Sequence, residues 1–233
     1  MTERLFRAPA EPVVVAIDGP AGSGKSSVSK EVARRRAYGY LDTGAVYRAL
    51  AWHALAHGAD TSDASAVVDA LGDFDVRISL DPDDFWVRVG EHDVTGAIRE
   101  PGVTDAVSGV ARIPIVRHTV NGMFRRLTAE SARRGVVVEG RDITTVVFPE
   151  APVRVLLTAS ESVRAARRHG ETTGQDAASV AASIARRDAS DATVSEFLTG
   201  AEGVTVVDST DLDFDGTVDA VLATIAKEVP HGR

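Results

Sequence analysis

Residues 13–26 read Val13-Val14-Val15-Ala16-Ile17-Asp18-Gly19-Pro20-Ala21-Gly22-Ser23-Gly24-Lys25-Ser26. From Gly19 to Ser26 the run satisfies the phosphate-loop pattern G-x-x-x-x-G-K-[ST] at every fixed position. Gly19 and Gly24 allow a tight turn and bring backbone amides close to a phosphate, where a Cβ would interfere. Lys25 offers a point charge to the β- and γ-phosphates. The Ser26 hydroxyl is the expected ligand of a Mg²⁺ bridging the same phosphates. Before the loop, the apolar and largely β-branched run 13–17 suits a parallel strand buried on both faces. After it, Val28 and Val32 are spaced as on one face of a short helix, over about 24–36. A helix that starts at the glycine loop also turns its dipole toward the phosphate. Nucleotide binding follows from this stretch; the reaction does not.

Working outward, further apolar runs at 135–139, 153–158 and 204–208 alternate with helical patterns at 43–57, 64–71, 103–111, 114–134, 160–169, 177–189 and 215–228. This predicts an α/β fold with a doubly wound, mainly parallel sheet. Ligands of such sheets bind at the C-terminal strand ends, where Gly19, Asp42, Gly140 and Asp208 would lie. Asp42 or Thr43 is the expected N-cap of the helix that follows. Residues 74–80 and 85–89 instead alternate apolar with polar, and 81–84 reads as a turn. An antiparallel hairpin is therefore expected inside a small inserted segment, 74–101. Two helices around the polar loop 170–176 suit a mobile lid over 160–191. All 233 residues then form a single domain with an insertion and a lid.

Composition narrows the partners. A net charge of −8 argues against binding a nucleic-acid polymer. No apolar run approaches the ~20 residues needed to span a bilayer, and residues 1–7 lack the apolar core of a secretion signal. Cysteine is absent, which fits a cytoplasmic location. A monomer is expected, since nothing calls for an obligate interface. Of 26 basic residues only Lys25, Lys30 and Lys227 are lysines. A second phosphate site must therefore be built from arginine, which clamps oxyanions bidentately.

Three clusters could form that site. One is Asp42-Thr43-Gly44-Ala45-Val46-Tyr47-Arg48, another Glu139-Gly140-Arg141-Asp142, and the third joins Arg164, Arg167, Arg168, Arg186, Arg187 and Asp191. Each has a plain reading: Arg48 as a solvated side chain, Arg141 with Asp142 as a local ion pair, the third cluster as solvated helix faces. Taken together beside a phosphate loop they describe phosphoryl transfer, where catalysis is mostly positioning plus stabilisation of charge.

These segments, with Val94-Thr95-Gly96-Ala97-Ile98-Arg99 and Thr145-Val146-Val147-Phe148-Pro149, resemble the bacterial cytidylate kinases of the nucleoside-monophosphate kinase superfamily, over about residues 12–228. The resemblance implies ATP-dependent phosphorylation of CMP and dCMP to CDP and dCDP, with Mg²⁺. It implies ATP on Gly19, Pro20, Ala21, Gly22, Ser23, Gly24, Lys25, Ser26 and Ser27. Thr43 and Tyr47 would line the monophosphate site, and Arg48 and Arg141 would hold the acceptor phosphate. Ser108, Arg117 and Asp142 fall where the family reads cytosine, and Arg187 and Asp191 where it contacts ribose. Lys25, Arg48, Arg141 and Arg187 would be the catalytic cations. The segment 74–101 would be the monophosphate-binding subdomain. In hydrogen-bond terms, Asp142 can accept from the exocyclic amine of cytosine while Arg117 or Ser108 donates to its acceptors.

Three positions depart from the family pattern. Glu139 replaces a usual Asp, Thr144 a usual Gly, and Val194 an arginine expected on the acceptor phosphate. A phosphate-loop kinase for another small acceptor (UMP, shikimate or a coenzyme precursor) is the alternative. A nucleotide switch is a third reading, against which the chain has no N-K-x-D tetrapeptide.

Overall fold

The computed structural model describes residues 11–171 and 201–229. Its main sheet contains β1 (Val13–Asp18), β2 (Gly39–Asp42), β6 (Gly135–Gly140), β7 (Val153–Thr158) and β8 (Thr205–Asp208). Their spatial order is β2-β6-β1-β7-β8, and every pairing is parallel. All six residues of β6 are buried, as a central strand covered on both faces requires. The chain leaves β1 toward one edge, through β2 and β6, and later builds β7 and β8 on the other side. The loop after β1 therefore lies at the switch point of the sheet, where a crevice opens.

The helices are α1 (Lys25–Arg36), α2 (Thr43–Ala56), α3 (Ala64–Leu71), α4 (Pro101–Ala111), α5 (Pro114–Ala129), α6 (Glu161–Glu171) and α7 (Phe214–Glu228). Asp42 is the N-cap of α2 and accepts from the Ala45 amide at 2.8 Å. Asp63 caps α3 in the same way through Ser65. Pro114 occupies the first turn of α5, but that helix ends at Ala129 rather than near 134. There the Ser131 hydroxyl accepts from the Arg133 amide and turns the chain into β6. A π-helical turn spans Ile143–Val147, and a 3₁₀ turn spans Ala97–Arg99. Among the described residues no helix is long and apolar enough to cross a membrane.

The inserted segment differs in detail from the expected hairpin. It holds three short antiparallel strands, β3 (Val76–Ile78), β4 (Val87–Val89) and β5 (His92–Asp93). Residues 79–86 do not continue either strand. Phe85 packs instead on Tyr40 (ring centroids 6.3 Å apart) and under the Lys30 ammonium at 4.6 Å. Arg34 on α1 donates to the Pro82 carbonyl at 3.1 Å. These tertiary contacts outcompete a tight turn. Val87, Val89 and Ile98 join the same buried cluster as Ala16, Leu41 and Leu50, so the insertion and the sheet share a core.

Candidate active site

The phosphate loop is shaped by close approach. A Cβ on Gly19 would collide with the Leu157 carbonyl of β7, and Gly22 and Gly24 adopt φ of 75° and 83°. Gly24 is the N-cap of α1; no side chain caps that helix, and no acidic residue stands in its first turn. No carboxylate of the first turn meets the positive end of the helix dipole, which suits an anion. The Ser23 hydroxyl is buried without a hydrogen-bond partner. Both observations fit a bound phosphate chain.

A cavity of about 520 Å³ opens in front of the loop. Lys25, Ser26, Arg48, Arg141, Arg99 and Arg168 are among its walls, with Lys30 and Thr104. Arg48 and Arg141 thus border the same cavity as the phosphate loop. Arg48 donates to Asp42 Oδ2 at 3.0 Å, while its buried Nε has no partner. Arg141 donates to the Gly19 carbonyl. It does not pair with Asp142, which forms an ion pair with Arg117 on α5 instead. Burial pushes the Asp142 carboxyl up and the Arg117 charge opposes the shift. Tyr47 lies near the same pair, its phenol pushed up to about 12 by burial.

Carboxylates stand at or one residue before the C-terminal ends of three adjacent strands: Asp18, Asp42 and Glu139. Asp18 accepts from the amides of Ile143 and Thr144, at 2.8 Å each, and from the Thr144 hydroxyl at 2.6 Å. The threonine that replaces glycine here thus supplies a third donor to a buried carboxylate. Glu139 is buried and accepts from the Tyr40 hydroxyl at 2.6 Å. Its Oε2 has no hydrogen-bond partner. Desolvation, then the Asp42 charge, push the Glu139 carboxyl up, while Lys25 and the Ser26 hydroxyl act against the shift. A buried carboxylate oxygen without a partner, set beside Lys25 and Ser26, fits a divalent cation.

Other described residues of the expected site lie outside this wall. Thr43 is buried and its hydroxyl donates to the Glu139 carbonyl at 2.7 Å, so its proton fixes α2 to β6. Thr43, Tyr47, Arg117 and Asp142 all stand behind the cavity wall rather than in it. Ser108 is exposed, and Thr104, one turn earlier on α4, lines the cavity in its place. Arg164 and Arg167 are braces: Arg164 donates to the Ala21 carbonyl at 2.9 Å, and Arg167 to Ser23, Ser209 and Leu212 carbonyls at 2.9–3.3 Å. Arg186, Arg187, Asp191 and Val194, with the expected helix at 177–189, lie outside the described residues.

A second cavity, of about 320 Å³, opens on the other side of the loop. Ser23, Gly24, Ser27, Val28, Arg167, Leu212, Asp213, Phe214 and Thr217 form it. Sequence reasoning missed it, although Phe214, a half-exposed aromatic opening the helix after the last strand, was a signal.

The Cytidylate kinase family profile matches residues 15–227. The cytidylate kinase of Cutibacterium acnes is 46% identical over 213 residues, which cover 91% of this chain and 95% of that one. That of Rhodococcus jostii is 42% identical over 227 residues, covering 95% and 98%. A crystal structure of an uncharacterized protein from Eubacterium ventriosum shares the fold, with a TM-score of 0.52 at 11% identity over 91% of this chain and 98% of that one. The profile runs from within β1 to the last helix, the relatives cover more than nine-tenths of the chain, and on that extent the chain belongs to the cytidylate kinase family.

Proposed function

We propose that this protein transfers the γ-phosphoryl group of ATP to CMP and dCMP, giving CDP and dCDP. One observation carries the reading. Lys25, the uncapped start of α1, Arg48 and Arg141 face a single cavity, so donor and acceptor phosphates can meet there end to end. Arg48 and Arg141 hold the acceptor phosphate; the unpartnered Nε of Arg48 is a donor awaiting an anion. Arg117 and Asp142 read the cytosine edge, already paired and so held in orientation. Thr43 positions α2, because a hydroxyl whose proton is given to a carbonyl cannot also donate to phosphate. Arg99 and Arg168 add positive charge to the same cavity. The second cavity takes the nucleoside end of ATP, with Phe214 and Leu212 as its apolar surface.

The acceptor needs no general base, because a phosphate monoester is largely dianionic above its second pKa of about 6. Lys25 and the amides of the loop stabilise charge on the transferring group, in a site arranged in advance of reaction. Ser26 and Glu139 would hold Mg²⁺, which supplies neutralisation of charge between the nucleotide phosphates. Both substrates are free nucleotides, which suits the cytoplasm, and one chain builds both cavities, so a monomer suffices.

The test is ADP release across CMP, dCMP, UMP and shikimate, with Arg48→Ala as the variant. CMP and dCMP are expected to be preferred. Loss of a charged hydrogen bond, about 1.5–3 kcal/mol, should raise the KM for CMP by roughly 10- to 150-fold in the variant. Equal turnover of all four acceptors, or an unchanged KM, would refute the assignment.

A further inference from the structure

Outside the lining of both cavities, α2 ends in a cluster that the proposed reaction does not use. His53 and His57 stand one turn apart, at i and i+4, so their rings share a helix face with centroids 4.3 Å apart. Asp73, in the turn between α3 and β3, reaches both. Its Oδ1 is 3.0 Å from His53 Nε2, and its Oδ2 is 3.7 Å from His57 Nε2. The coordinating atoms of the three residues all lie within 4.8 Å of one another.

Tautomer chemistry favours a ligand role for His57. Its Nδ1 sits 2.9 Å from the His53 carbonyl, which can only accept. The proton therefore resides on Nδ1, and the Nε2 lone pair faces Asp73. Backbone anchoring of the remote ring nitrogen is also how metal-binding histidines are commonly held. His53 is buried and packs on Phe74, ring centroids 5.5 Å apart, so its ring is fixed. Without an ion its Nε2–H donates to Asp73 Oδ1 at 3.0 Å, because a carboxylate only accepts, so ligation moves that proton to Nδ1 and replaces the hydrogen bond by a bond to the metal.

Distances agree with one ion. Tetrahedral zinc, with bonds of about 2.0–2.2 Å, sets its ligand atoms roughly 3.3–3.5 Å apart. The three ligand atoms lie within 4.8 Å of one another, and the 3.0 and 3.7 Å contacts run to the two different oxygens of Asp73, so rotation of the carboxylate and of the exposed His57 ring is needed to bring one oxygen and both Nε2 atoms to that spacing. Two imidazoles and a carboxylate suit a borderline cation rather than Mg²⁺, which prefers oxygen and water. The C-terminal end of a helix also favours positive charge. Three protein ligands leave a fourth position, and His57 and Asp73 are exposed enough for water to fill it.

We propose that His53, His57 and Asp73 form a zinc site that fastens the C-terminal end of α2 to the turn entering the inserted sheet. The opposite half of α2 carries Arg48, so the ion would stiffen the helix that presents an acceptor-binding arginine. The proposal does not depend on the substrate assignment.

Zinc binding to the untagged full chain, in excess Mg²⁺, is measured by competition with a chromophoric chelator. Wild type, His57→Ala, Asp73→Ala and the control His92→Ala are compared. The two ligand variants alter exposed side chains and are expected to fold; circular dichroism checks this. One equivalent of zinc should bind wild type and the control alike, and each ligand variant should weaken it by at least ~10-fold. Zinc should raise the Tm of wild type and leave the Tm of the ligand variants unchanged. Absence of binding by wild type, or wild-type affinity in either ligand variant, overturns the proposal.

Discussion

Glu139 concentrates the tension of the site in one side chain. It is fully buried beside the Asp42 carboxylate, and one of its oxygens has no hydrogen-bond partner. A buried charge so placed costs folding free energy, and the raised pKa expresses that cost. The sign follows from linkage. When the folded pKa exceeds the unfolded one, protonation favours the folded state, and the benefit is lost as pH rises through the folded pKa. The ionised form is therefore a burden at neutral pH that eases as pH falls toward the ordinary value of 4.5. Glu139→Gln keeps the shape and can still accept from Tyr40, but removes the charge. It should match or exceed wild type in Tm at pH 7, with the gap closing between pH 7 and 5. The same variant should need more Mg²⁺ for half-maximal activity. A variant less stable than wild type at pH 7, with an unaltered Mg²⁺ requirement, would place the role of Glu139 in packing alone.

At the scale of elements, short loops decide what the strands present. The π-helical turn 143–147 is bound to Asp18 through two amides and the Thr144 hydroxyl. Arg141 and Asp142 lie between that turn and β6, so the anchor sets where they emerge. Thr144→Gly removes one hydrogen bond to a charged group and adds backbone freedom to the unfolded chain, for about 2–3 kcal/mol of lost stability by urea denaturation. Thr144→Ser, which keeps the hydroxyl, should recover most of it; equal losses in both would mean the methyl group carries the effect. Neither the turn nor its anchor was legible, because Ile143-Thr144-Thr145-Val146-Val147 has no period that marks a π-turn. By contrast the phosphate loop, the Asp42 cap and α3 were readable, since each rests on residues within one local stretch. Strand β5 escaped because two residues, His92 and Asp93, carry no alternation. The Arg117–Asp142 pair escaped because 25 residues separate its partners and nothing local signals it.

Across the whole molecule, the loop after β1 serves as a shared wall: Gly24 and Ser27 border both cavities. What holds that wall comes from distant chain. Arg167 on α6 donates to the Ser23 carbonyl at 3.2 Å, to the Ser209 hydroxyl and carbonyl at 2.9 Å each, and to the Leu212 carbonyl at 3.3 Å. It thus ties the loop after β1 to the loop after β8, across β7. Carbonyl acceptors leave no mark in a sequence, which is why Arg167 read as a phosphate-binding arginine rather than a brace. Its removal should act on one substrate more than the other, because Arg167 borders only the cavity that contains Phe214. Arg167→Met retains part of the stem and deletes the donors. Several hydrogen bonds of about 1 kcal/mol each are lost together, partly replaced by water. The KM for ATP should then rise by roughly tenfold or more, about 1.4 kcal/mol per decade, while the KM for CMP stays within about twofold. If both constants rose together, the brace would be holding the entire sheet edge, and the separation of donor and acceptor cavities across the phosphate loop would fail.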